Sequence, residues 1–235
     1  MDLMTLSLAV GCALAAAAPG KPAELVPPLA PFDSTAFVSN VDNPYFPLDP
    51  GSILVYETLE GKAKGVDSVF VTRERRTILG VPAIVVRDRS YVAGKLTEDT
   101  ADWYAQDKRG NVWYLGEDTK EYRDGKVTST TGSWEAGRDG AHGGIVMPGV
   151  PEVGMQYRQE YRPGVAEDMA SIQSLDGRAL VMGDSVTACV ETEEWSPLER
   201  GVRELKLYAP GLGLVLQRTK AGGSESMRLV RVVRP

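Results

Sequence analysis

The sequence predicts an all-β, mainly antiparallel fold: a single meandering sheet of about ten strands curled into a half-barrel or barrel, with a Pro-rich N-terminal arm and a long central loop. Three observations carry this. Runs rich in Val, Ile, Thr and Tyr recur from residue 52 to the C-terminus, at 52–59, 66–73, 83–92, 96–106, 111–115, 155–161, 186–195, 203–209, 212–219 and 226–232. Turn-forming groups stand between them, among them Glu60-Gly61-Lys62, Ala93-Gly94-Lys95, Asp107-Lys108-Arg109-Gly110, Asp124-Gly125 and Ala209-Pro210-Gly211. No window of a dozen residues repeats apolar side chains with helical spacing.

The elements follow in order. Residues 3–18 are apolar and end in small side chains before Pro19 and Gly20, which reads as a signal peptide cleaved after Ala17. The run is shorter than the roughly 20 residues of a membrane-spanning helix. The only charge before it is Asp2, where Lys or Arg is usual, and the alternative is a buried N-terminal helix. Cys12 faintly resembles the cleavage box of a bacterial lipoprotein, so the expected location is extracytoplasmic, periplasmic or secreted, with membrane attachment only if Cys12 is lipidated. Residues 18–50 carry eight prolines and form an extended arm in which Asn43-Pro44-Tyr45-Phe46-Pro47-Leu48 packs on the domain as a lid or plug. Residues 51–235 form one antiparallel β domain. Residues 128–151, rich in Gly and Ser, read as a docked loop rather than a turn.

Composition narrows function without naming it. The chain has 235 residues with 26 basic and 32 acidic side chains, a net charge of −6, so a nucleic-acid partner is not expected. Once the leader is removed Cys189 stands alone in an apolar run, where a buried free thiol is expected rather than a reactive one. His142 is the only histidine, which excludes zinc and iron sites built from several histidines. No serine-nucleophile elbow, phosphate loop or dinucleotide fingerprint is present.

What remains is a pattern of acids and aromatics. In residues 96–106, strand periodicity places Glu98, Thr100, Asp102, Tyr104 and Gln106 on one face and Ala101, Trp103 and Ala105 on the other. The polar set is either a solvated outer face or the lining of a polar cavity, and the sequence does not choose. If it lines a cavity, the candidate ligand-binding residues are Glu98, Asp102, Tyr104, Gln106, Trp113, Trp134, His142 and Glu160. No cofactor is expected. If a metal is involved it is calcium, held by oxygen ligands from separate segments, with Asp102, Glu160 and Asp168 as the candidate set. Asp107-Lys108-Arg109-Gly110-Asn111-Val112-Trp113 resembles the Asp turn of a propeller blade, but it occurs once and reads as a plain hairpin.

Several strings also carry a family likeness. Asn43-Pro44-Tyr45-Phe46-Pro47-Leu48, Asp102-Trp103-Tyr104-Ala105-Gln106-Asp107 with Gly110-Asn111-Val112-Trp113-Tyr114, Gly132-Ser133-Trp134-Glu135-Ala136-Gly137, and Gln159-Glu160-Tyr161 resemble a family of secreted bacterial β-rich proteins of unassigned function. The resemblance implies export and a β-rich domain, and brings no activity. Lys206-Leu207-Tyr208-Ala209-Pro210-Gly211-Leu212-Gly213-Leu214-Val215 is similar to a C-terminal hairpin of half-barrel envelope proteins such as lipoprotein-localisation carriers, which implies a concave face that holds acyl chains.

The expected function is therefore an exported binding protein with a small molecule or lipid-like group on the concave face of its sheet. One alternative is an extracytoplasmic enzyme using paired carboxylates, with Asp102 or Glu98 as base and Glu160 or Asp168 as acid, around a calcium ion or without one. The other is a structural or partner-binding surface protein. No reaction is identified, so binding is favoured over catalysis.

Overall fold

The computed structural model describes residues 26–235, so the signal peptide, Cys12 and the start of the arm lie outside the described residues. The chain folds into one antiparallel sheet of sixteen strands, in the shape of a nearly closed barrel. A short 3-10 turn at Ser34–Ala36 leads into β1 (Phe37–Val38). Five longer strands follow: β2 (Ile53–Glu60), β3 (Ala63–Ile78), β4 (Val81–Val92), β5 (Lys95–Asp107) and β6 (Val112–Arg123). Five short ones come next: β7 (Lys126–Ser129), β8 (Trp134–Glu135), β9 (His142–Met147), β10 (Gln156–Arg158) and β11 (Glu160–Tyr161). The meander is completed by β12 (Met169–Val181), β13 (Asp184–Trp195), β14 (Arg203–Ala209), β15 (Gly213–Ala221) and β16 (Glu225–Val233). No α-helix occurs among the described residues.

Two expectations are corrected. Residues 128–151 are not a single loop: they hold the end of β7 and all of β8 and β9, which pair with β6. The unpredicted strand β12 is one of the longest in the sheet, and its pairing with β13 is interrupted by three irregularities between Ile172 and Ala179. Such bulges break the alternation that marks a strand in sequence, and they bend the sheet.

Local chemistry explains the hairpins. At the β4–β5 turn Ala93 and Gly94 both take positive φ, 49° and 76°, which matches the twist of two-residue antiparallel connections. Closure happens at two places. The first long strand pairs with the last, β2 against β16, from Ile53↔Val233 to Glu60↔Glu225. On the far side a single short segment spans the remaining gap: β10 pairs with β12, and β11, one residue later, pairs with β9. Gly144 of β9 makes this approach possible, because a Cβ there would lie 2.4 Å from the Gln159 carbonyl carbon.

The arm wraps one end of the barrel. Phe32 and Phe37 pack edge-on against Trp113 at ring distances of 5.6 and 5.7 Å. Asn43, buried, donates to the carbonyls of Gly110 and Pro148, and Phe46 lies against Tyr104 and Tyr208. Below this plug, Val71, Ile84, Val86, Val112, Ile172 and Val190 belong to the main apolar core.

Candidate functional site

The register decides where the polar face of β5 points. Thr100 pairs with Asp88 of β4 and Thr119 of β6, and Asp102 pairs with Val86 and Glu117. Asp88 in turn pairs with Val69 of β3, and Ser90 with Asp67. These positions share the face that carries the core valines Val71 and Val86 and the plugged Tyr104, so the row Glu98, Thr100, Asp102, Tyr104, Gln106 lines the interior. Thr100, Asp102 and Gln106 are buried, and Glu98 is half-buried.

Five carboxyls from four strands meet there: Asp67, Asp88, Glu98, Asp102 and Glu117. Their hydrogen bonds form a chain. Thr100 Oγ1 lies 3.0 Å from Glu98 Oε1, the Thr100 and Thr119 hydroxyls are 3.0 Å apart, and Thr119 Oγ1 lies 2.7 Å from Glu117 Oε2. Three consecutive links need three protons, and two hydroxyls supply two. The third belongs to one of the carboxyls at the ends, so Glu98 and Glu117 hold one proton between them. The Tyr114 hydroxyl donates to Asp102 Oδ1 at 2.5 Å. Asp67 and Asp88 are diagonal neighbours on β3 and β4, and Ser90 donates to Asp67 at 3.3 Å. Oδ1 of Asp88 is buried without a hydrogen-bond partner.

Electrostatics agrees with the proton count. Burial, reinforced by Asp102, pushes Glu117 up to about 8. Burial likewise pushes Asp102 up to about 7 against the opposing Tyr114 hydrogen bond, with Glu98 and Asp67 adding to the rise. Asp88 lies well above the usual carboxylate range through burial and its Asp67 contact, and Glu98 is raised mainly by burial. Arg87 and Arg89 stand on the opposite face of the sheet, paired with Asp99.

An aromatic group adjoins the acids. Tyr104 and Tyr114 stack at 4.9 Å, and Trp134 meets Tyr114 edge-on at 5.4 Å. Trp134 pairs with Glu117, so it too faces inward, and its indole donates to Glu160 Oε2 at 3.1 Å. Burial first, then Asp168 and Glu117, hold Glu160 well above the ordinary range. Across the barrel, Lys206 of β14 makes a balanced group: its Nζ lies 2.7 Å from Glu194 Oε2, while Tyr208 and Thr192 donate to Glu194 Oε1.

The candidates from sequence therefore separate. Glu98, Asp102, Tyr104, Trp134 and Glu160 share the interior. Gln106 is engaged by the arm: its Oε1 accepts the backbone N–H of Asp42 and Asn43, and its Nε2 donates to Asp42. Trp113 faces the other way, and its indole donates to Asp107, whose carboxylate also takes Arg109 N, Asn111 N and Asn111 Nδ2. Asp107 is thus the hub of a hairpin. His142 is exposed, its ring 6.1 Å from that of Tyr161, and Asp168 is exposed. Among the described residues no group of three His, Cys, Asp or Glu side chains is placed to hold a metal ion. Asp67, Asp88 and Tyr114 are not among the candidates from sequence, because they are inward polar residues of three different strands and only register joins them to the row on β5.

No family model and no curated protein matches the chain. Two crystal structures resemble its fold. One is a candidate exported protein with a YmcC-like fold from Bacteroides fragilis, 14% identical, and the other a candidate lipoprotein from Parabacteroides distasonis, 10% identical. Each alignment covers 80% of this chain and 98% of the other, with a TM-score of 0.44. Neither bears on the resemblance of residues 206–215 to lipoprotein-localisation carriers.

Proposed function

We propose that the chain is an exported binding protein whose barrel interior holds a small molecule, or the polar end of a lipid-like group, on the acid and tyrosine face of β5 and β6. The observation that carries this reading is the inward row of Glu98, Asp102 and Tyr104 beside the buried, unpartnered Oδ1 of Asp88. A buried oxygen with no donor favours a ligand that brings one, so an amine or polyol head suits the site. Half-buried Leu54, Val69 and Met227 lie on neighbouring strands and offer surface for an apolar body. Export accords with the apolar leader, and the acidic chain and acidic interior offer nothing to a nucleic acid.

Of the four tryptophans, Trp134 faces the acids, whereas Trp103, Trp113 and Trp195 alternate with inward residues and point away. A screen of envelope lipids, amines and sugars by tryptophan fluorescence is expected to find ligands whose signal disappears in Trp134→Phe while their thermal stabilisation persists. Asp102→Asn is expected to weaken the same ligands. No copurifying molecule, no fluorescence response and no thermal shift would end the proposal.

A second reading, a carboxylate enzyme, draws support from Asp102, which titrates near 7, where a general acid or base is most useful. Its partner within the interior would be Glu117 or Glu160, not the exposed Asp168. Mass spectrometry of a bound ligand separates the readings: recovery unchanged supports binding, and conversion supports catalysis.

A further inference from the structure

The outer wall bears a feature that the interior reading leaves unused. Ser68 of β3 pairs with Arg89 of β4 and Phe70 with Arg87, and all four alternate with Asp67, Val69 and Asp88, so they project away from the barrel interior. With Thr72, Glu74 and Tyr91 they line a groove of about 450 Å³. Phe70 is 38% exposed, and Val66, two residues earlier on the same face, is exposed as well. An isolated apolar side chain at a surface means little, but an apolar strip beside a groove of this volume is a candidate binding surface.

The charge around the groove specifies what. Arg87 Nε and Arg89 Nε lie 3.2 and 3.4 Å from the same Asp99 Oδ1. Two guanidinium groups share one carboxylate, and the Asp99 side chain is 12% exposed while the arginines are 39% and 46% exposed. Within this trio the two guanidinium groups outnumber the one carboxylate, and Glu74 is the remaining charge lining the groove. Arginine has five N–H donors in a planar fork, more than this shared contact uses. Further along the wall, Arg231 pairs with Val55, and Val55 with Ser68, so the row Arg231, Val55, Ser68, Arg89 is cationic at both ends and uncharged between. Glu74 is the one acid lining the groove. Arg87 and Arg89 against Asp99 and Glu74 leave the groove neutral in a chain of net charge −6, with the guanidinium groups as its exposed donors.

We propose that the groove is a second ligand site, distinct from the interior, and that it takes an anionic amphiphile. The phosphate or carboxylate head rests on Arg87 and Arg89, and the alkyl or aromatic body lies on Phe70 and Tyr91. The planar forks suit a two-oxygen anion, and the aromatic floor gives an apolar body its contact area at little entropic cost. A free inorganic anion would leave that floor uncovered, and a nucleic acid would meet the repulsion of an acidic protein.

The probe is dihexanoylphosphatidylglycerol below its micellar concentration, titrated into the full chain by calorimetry, with dihexanoylphosphatidylcholine and inorganic phosphate as comparisons. The glycerol lipid is expected to bind at least about tenfold more tightly than either. Ser68→Glu, which sets a carboxylate into the groove, and Phe70→Ser, which removes the floor, are each expected to weaken it by about tenfold or more, at melting temperatures close to that of the unaltered protein. Ser68→Glu is expected to leave the Trp134 response to interior ligands unchanged, so the two sites fail independently. Equal binding of the two lipids, equal binding of inorganic phosphate, or full binding in both variants overturns the proposal. Attachment to phosphatidylglycerol vesicles without binding of the monomeric lipid overturns it too, because it assigns the wall to a membrane surface instead of to a single molecule.

Discussion

Replacing Glu117 by Gln tests whether the interior acids share protons. In the folded chain the Glu117 carboxyl is pushed from an ordinary 4.5 to about 8, so the folded state holds a proton that the unfolded state releases. Its contribution to stability is complete below pH 4.5 and is lost as the pH rises to about 8. At about 1.36 kcal/mol for each tenfold in proton affinity, the full span corresponds to about 5 kcal/mol. Because Glu98 and Glu117 hold one proton between them, only about half of this, roughly 2 kcal/mol, is expected on replacing Glu117 alone. The Gln amide can donate to Thr119 as the protonated carboxyl does, with Thr119 donating to Thr100 and Thr100 to an ionised Glu98. Urea unfolding at pH 5, 6, 7 and 8 reads the difference directly. Glu117→Gln should match the unaltered protein at pH 5 and exceed it by about 2 kcal/mol at pH 8. A difference independent of pH, or a variant weaker at pH 8, would show that Glu117 is an ordinary ionised carboxylate and refute the proton count.

Four other outcomes follow from named contacts. Asp107→Ala removes acceptors for the Trp113 indole, the Asn111 amide and two backbone N–H groups, and should lower stability by about 2–4 kcal/mol in thermal or urea unfolding, with Asp107→Asn costing less. Gly144→Ala forces a Cβ onto the Gln159 backbone and should speed amide hydrogen exchange across residues 156–161 ahead of the rest of the sheet. Phe46→Ala takes the plug off Tyr104 and Tyr208, and is expected to cost about 2–4 kcal/mol and to increase binding of a hydrophobic dye. Cys189 is wholly buried and its thiol is raised by that burial, so a disulfide reagent at pH 8 should modify it only at the rate of unfolding.

Much of the wall was legible in the sequence, for a reason that also explains the gaps. The runs at 52–59, 83–92, 96–106, 186–195 and 203–209 keep one apolar side and fall in β2, β4, β5, β13 and β14. In β12, Ser171, Gln173, Ser174, Asp176 and Arg178 blur that alternation, and the irregular pairing with β13 shifts which side chains face in. In β9, Gly143 and Gly144 look like loop glycines, yet they are small because neighbouring backbone and side chains press against them. The even-numbered row of β5 could be read as one face from period two, but its direction depended on strands far away in sequence. The same holds for its partners: Asp67 and Asp88 are unremarkable until register sets them beside Glu98 and Asp102.

The segment from Gln156 to Tyr161 has a further implication. It grips β12 through three residue pairs and β9 through two, whereas β3 and β4 are joined along most of their length. A cylinder stitched along one line by so few backbone bonds can be unpicked there while its other staves remain zipped, because parting it costs the local bonds and not the whole core. Glu160 sits on that stitch with its carboxyl tied to the Trp134 indole, so parting it would also break a hydrogen bond to the aromatic group beside the interior acids.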